Sequence, residues 1–83
     1  MSVLKIVKLK QTIYIYPPGK SAIMAEVLTI DKMDSTKAKN CSEIVLDGGI
    51  VRAKTIYGVD VWVPLSNVLA MIPLEDRSAQ PKK

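Results

Sequence analysis

Glycine and proline set the lengths of everything else in this chain. Pro17-Pro18-Gly19, Gly48-Gly49, Gly58, Pro64 and Pro73 interrupt segments dominated by valine, isoleucine, leucine and tyrosine. Side chains of that kind pack well on a pleated surface, and the interruptions mark turns, so the segments read as strands. The clearest signal is Glu43-Ile44-Val45-Leu46, then Asp47-Gly48-Gly49, then Ile50 to Thr55. Asp-Gly and Gly-Gly both accept the positive φ of a primed hairpin turn.

Val3 to Tyr16 has no glycine or proline and reads as one long strand. Its apolar residues change phase: Leu4 and Ile6 are even-numbered, whereas Val7, Leu9, Ile13 and Ile15 are odd. A loss of one residue near Ile6-Val7 is what a β-bulge or bend produces. Beyond it Lys8, Lys10, Thr12, Tyr14 and Tyr16 are expected to share the solvent face.

Ser21 to Met33 fits two periods, since Ile23, Val27 and Ile30 have helical spacing while Met24, Leu28 and Ile30 have a strand's. The β-branched run Val27-Leu28-Thr29-Ile30 favours a strand, and a helix there would make the fold α+β. Residues 34–42 are polar and read as a mobile loop. Val59, Val61 and Val63 alternate with Asp60 and Trp62 up to Pro64. Leu65-Ser66-Asn67 is long enough for one helical turn, and Val68 to Ile72 makes a last strand closed by Pro73. The expected fold is all-β, a small barrel of five or six short strands over residues 1–74, with residues 75–83 a disordered basic tail.

With 83 residues, no Phe and one Trp, the chain must fill a small interior with aliphatic side chains. At 48% hydrophobic it also invites self-association, because so small a body has little interior. No histidine is present and Cys41 is the only cysteine, which removes Ser/His and Cys/His catalysis, His-ligated metals and intrachain disulfides. Cys41 reads as a bystander in a reducing compartment, and no apolar run reaches the length of a signal peptide or membrane span. A cytoplasmic location is expected, with no membrane partner. The acids Asp31, Asp34, Glu43, Asp47 and Asp60 are scattered, so no catalytic carboxylate pair is implied. Gly19-Lys20-Ser21 lacks the first glycine and long helix of a phosphate loop and reads as a turn. Neither an enzyme nor a cofactor is expected.

The ending of strand, proline, single turn and strand resembles the SH3-like small barrels. Within that class, Val61 to Pro73 is similar to the closing strands of Sm-like proteins, and Leu28-Thr29-Ile30-Asp31-Lys32-Met33 resembles their acidic-then-Met motif. The chain departs from the family at Leu65-Ser66, where an Arg-Gly pair is expected before the Asn, and at Asp34, where an asparagine is expected. Those are the positions that would grip RNA, so Sm-type base recognition does not carry over. In size and style the chain also resembles small accessory proteins encoded by bacteriophages.

Two functional expectations remain. The first twenty residues hold Lys5, Lys8, Lys10 and Lys20 and no acid, so they carry the whole formal net charge of +4. Lys8, Lys10, Arg52 and Lys54 would meet phosphates while Tyr14, Tyr16 or Trp62 stack on bases, which makes DNA or RNA one expected partner. The other is a protein-interaction or homo-oligomeric module. If Val59, Val61 and Val63 are core, Trp62 points outward; if Val68, Ala70 and Ile72 are buried, Leu69 and Met71 do too, and such residues are enriched at interfaces.

Overall fold

A computed structural model of the chain describes residues 2–31 and 39–74. Six strands follow one another: β1 (Ser2–Ile15), β2 (Ile23–Thr29), β3 (Cys41–Asp47), β4 (Ile50–Thr55), β5 (Asp60–Pro64) and, after a 3-10 turn at Leu65–Asn67, β6 (Val68–Pro73). All pairings are antiparallel, in the order β2-β1-β3-β4-β5, with β6 also on β1. The sheet curls into a half-barrel, compatible with a small β-barrel fold. The tail from residue 75, positions 34–38 of the polar stretch, and Lys32, Met33 and Asp34 of the Sm-like motif lie outside the described residues.

The sheet is organised around β1. Its first residues pair with β3 (Leu4↔Ile44), its middle with β6 (Val7↔Met71) on one edge and β2 (Val7↔Leu28) on the other, and its end with β2 alone (Ile15↔Ile23). The core forms where these meet: Leu4, Val7, Leu9, Leu28, Cys41, Ile44, Val51, Ala53 and Val63 are buried together. Val61 and Val68 pack against this cluster half-buried.

The phase change read near Ile6-Val7 is present, one or two residues earlier. Against β6 the register slips between Leu4 and Ile6, and burial passes from Leu4 to Val7 and Leu9. A larger irregularity follows. Between Lys8↔Val27 and Ile13↔Ala25, β1 advances five residues while β2 advances two, so the excess bulges out of β1. In β2 the buried positions are Ala25, Leu28 and Thr29, steps of three and one. The helically spaced Ile23, Val27 and Ile30 are none of them fully buried, and Ile23–Thr29 is extended, so the strand reading is the correct one there.

Of the glycines in the β3–β4 turn, Gly48 alone takes a positive φ, +68°. Positive φ at the first central position only is the pattern of a type II′ turn, whose twist suits two antiparallel strands. Leu65 N–H donates to the Gly49 carbonyl (2.9 Å), tying the 3-10 turn to this hairpin.

Two asparagine side chains extend the ladder where main chain cannot. Asn40 accepts from Thr29 N–H through Oδ1 (2.9 Å) and donates through Nδ2 to the Val27 carbonyl (2.8 Å). Its own N–H donates to the Thr29 carbonyl (3.1 Å) and its carbonyl accepts from Ile56 N–H (3.0 Å). Asn67 does the same for the bulged part of β1, accepting from Gln11 N–H (2.9 Å) and donating to the Gln11 carbonyl (3.3 Å). The expectation of a mobile loop over 34–42 is corrected at its end: Asn40 is fixed by these bonds, and Cys41 and Ser42 already belong to β3.

Replacing Asn40 by Ala leaves the Thr29 N–H and Val27 carbonyl unpaired in a part-buried setting. The expected cost is about 1–3 kcal/mol of unfolding free energy. Urea unfolding of Asn40→Ala beside the wild type measures it, and an unchanged midpoint contradicts the assigned role.

Candidate interaction surfaces

The outer face of β3, β4 and β5 carries two cross-strand rows. In the first, Val3, Val45, Arg52 and Trp62 stand opposite one another in turn across β1, β3, β4 and β5. In the second, Lys54 stands between Glu43 and Asp60. Together they line a depression of ≈ 390 Å³. The Arg52 guanidinium lies 5.1 Å from the centre of the Trp62 ring, an attraction that the exposure of both groups keeps near 1 kcal/mol or below on the usual scale, ~0.5–1.

The cations of this face have local partners. Arg52 pairs with Asp47 (3.6 Å) and Lys54 with Glu43 (3.7 Å), all four side chains being about half exposed. Asp60 adds a third carboxylate. Arg52 and Lys54 therefore do not make a basic patch, and a polyanion approaching Trp62 meets more acids than bases.

Lys8, Lys10, Tyr14 and Tyr16 are all exposed, Tyr16 at 70%. They do not form the single face that alternation suggested. Directly opposed residues of an antiparallel pair share a face; Lys8 opposes Val27 and Tyr14 opposes Met24, three positions along an unbroken β2. The bulge between them puts Lys8 and Tyr14 on opposite sides of the β1–β2 ribbon. Lys10 lines a second, polar depression with Gln11, Pro64, Ser66 and Asn67. Lys8 and Lys10 form no ion pair with another described residue, while Lys5 pairs with Asp31 (3.5 Å).

Half of the exposed large apolar residues lie between Trp62 and Leu74; the others include Tyr14, Tyr16 and Met24 on β1 and β2 and in the turn that joins them. Trp62 (64% exposed) points outward from a strand whose Val63 is buried, as alternation predicts. The expectation for β6 is corrected. Ala70 and Ile72, read as core, are exposed, because they oppose Lys8 and Ile6 on the outer side of β1. Met71 opposes the fully buried Val7 and so sits on the inner side, at the open rim of the half-barrel. Residues on both sides of β6 are exposed, and β6 pairs with β1 and with no other described strand. Leu69 (59%), Ile72 and Leu74 are all exposed, and residues 61–74 contain no charged side chain.

Cys41 is a core residue despite its polar neighbours in sequence, fully buried beside Leu28 and Ile44. Burial pushes its thiol up to about 11, partly offset by a hydrogen bond with the Thr29 backbone. Its strand position was hidden because the flanking Asn40 and Ser42 serve the ladder and not the core. Asn40 and Asn67 were missed as structural residues for the same reason: a loop asparagine gives no sign of which main-chain groups it faces. Among the described residues no helix is long and apolar enough to cross a membrane, and no three potential metal ligands converge.

Comparisons with protein-family models, with curated proteins and with solved structures returned no match.

The buried, protonated thiol of Cys41 is expected to resist a disulfide reagent at pH 8 in the native state and to react fully in denaturant. Rapid native-state modification, followed by absorbance, would place the thiol at the surface instead.

Proposed function

We propose that this protein is a non-enzymatic interaction module that binds polypeptide through β5, the 3-10 turn and β6. The observation that carries the reading is β6 itself: a charge-free, apolar strand exposed on both sides, with one edge unpaired among the described residues. Such an edge offers main-chain donors and acceptors to an added strand, and natural sheets usually blunt it with charge or cover it. Leu69 and Met71 belong to this strand and Trp62 is exposed on β5, and aromatic residues and methionine are enriched at protein contacts. The strand, Pro64, single turn and strand ending supports placing the fold with the SH3-like small barrels, where a compact sheet serves as a scaffold.

Binding of DNA or RNA is the second reading. It is supported by Lys8 and Lys10, which are exposed with no described acid paired to them, and by the open rings of Tyr14 and Tyr16. It is weakened by the acids around Arg52, Lys54 and Trp62 and by the opposed faces of Lys8 and Tyr14. Contacts with phosphate make affinity fall steeply with salt, whereas an apolar contact tolerates it.

A photoreactive benzophenone side chain at Leu69 of the full chain, activated in an extract of its native cells, tests the choice. The expected result is an adduct with a polypeptide that survives high salt and is lost when Met71→Lys is added. Absence of any polypeptide adduct overturns the reading. Salt-sensitive anisotropy changes with labelled DNA or RNA, abolished by Lys8→Glu with Lys10→Glu, would establish the second in its place.

A further inference from the structure

We infer that the strand added to β6 is β6 of a second copy of this chain, running antiparallel about a two-fold axis at Met71. The inference rests on the interaction reading above and names its partner.

Main-chain direction comes first. Leu74 N–H donates to the Val3 carbonyl on β1 (3.0 Å). Main-chain groups alternate in direction along a strand, so those of Ile72 and Ala70 turn to β1 as well, while Met71 and Pro73 turn theirs to the edge that no other described strand occupies. The slip between Leu4 and Ile6 adds its extra residue to β1 and leaves this alternation intact from Ala70 to Leu74; the second shift, between Lys8 and Leu9, adds a residue to β6 at Leu69, outside that span. Pro73 has no N–H, so Met71 is the residue at this end of the edge that both donates and accepts. Antiparallel pairing about a two-fold axis places one residue opposite itself. With Met71 there, each copy's N–H meets the other copy's carbonyl in two reciprocal bonds.

Side chains agree with that register. Ala70 of each copy falls opposite Ile72 of the other on the outer side, small against large, and the two Met71 side chains meet on the inner side, where their thioethers adapt to the rim left open by the half-barrel. Charge is the remaining requirement, because each chain carries a net +4 that opposes association. Residues 61–74 bring no like charges to the seam, since they have none, and among the described residues the cations facing β6, Lys5 and Lys8, stand one strand back on β1. Pro73 ends the pairing beyond the axis, so the addition stays short and its register defined.

Light scattering on eluting protein, over a concentration series, is expected to give twice the 9.1 kDa chain mass at high concentration. Met71→Pro removes the outward N–H without touching the β1 ladder, and Met71→Lys places two ammonium groups at the axis. Each is expected to raise the dissociation constant by about tenfold or more with the far-ultraviolet dichroism unchanged. Hydrogen exchange keeps the test open should both variants misfold: the Met71 amide is expected to be protected in concentrated wild type and to lose protection on dilution. A monomer up to millimolar concentration, a mass above the dimer, a dimer indifferent to both substitutions, or a Met71 amide that exchanges freely at every concentration overturns the inference. A monomer whose Leu69 probe still captures a different polypeptide overturns self-pairing alone, whereas a monomer with no adduct takes the interaction reading with it.

Discussion

The sheet depends on β1 having partners on both edges at once. Val7 is fully buried because Leu28 opposes it from one side and Met71 from the other, and the hydrogen-bonding capacity of the strand is consumed over its middle third. A strand shared in this way cannot stay straight. It slips phase near Lys5 to accommodate β6 and bulges after Lys8 to accommodate β2, and these two adjustments decide which side chains of three strands face the core.

The charge distribution follows from the same geometry. Lysine dominates the early sequence, yet the bulge divides Lys8 from Tyr14, and Lys5 is engaged by Asp31. On the far side of the sheet the register sets Arg52 and Lys54 beside carboxylates, at exposures where ion pairs are worth little to stability, ~0.2–1 kcal/mol. Their effect is to neutralise the surface around Trp62. What distinguishes the β5–β6 region is therefore the absence of charge and not its sign.

Much of this was legible in the residues. Turn chemistry located Gly48-Gly49, Gly58 and Pro64, alternation identified Val63 as core and Trp62 as exposed, and the change from even to odd apolar positions announced the first bulge. Local patterns did not reach the second bulge, because nothing in Leu9-Lys10-Gln11-Thr12 says that β2 will skip past it. They also failed at β6, where the register with β1 puts Ala70 and Ile72 on the outer side opposite Lys8 and Ile6, and Met71 on the inner side opposite Val7. Register is set by the partner strand, and alternation within a strand does not say which of its two faces the partner turns inward. Asn40 shows the third kind of blindness: its role lies in which carbonyl it meets, eleven and more residues away.

The pairing of β1 with β6 has a kinetic side. Leu4 opposes Pro73, so the first strand finds one of its partners only after every other element has been made. Contacts of such long sequence separation close late and at an entropic cost, and chains that rely on them fold slowly. Until then β6 is an uncharged strand without even the one partner it has among the described residues. Its weakest moment comes during its own synthesis, when aggregation competes most directly with the docking of Met71 beside Val7.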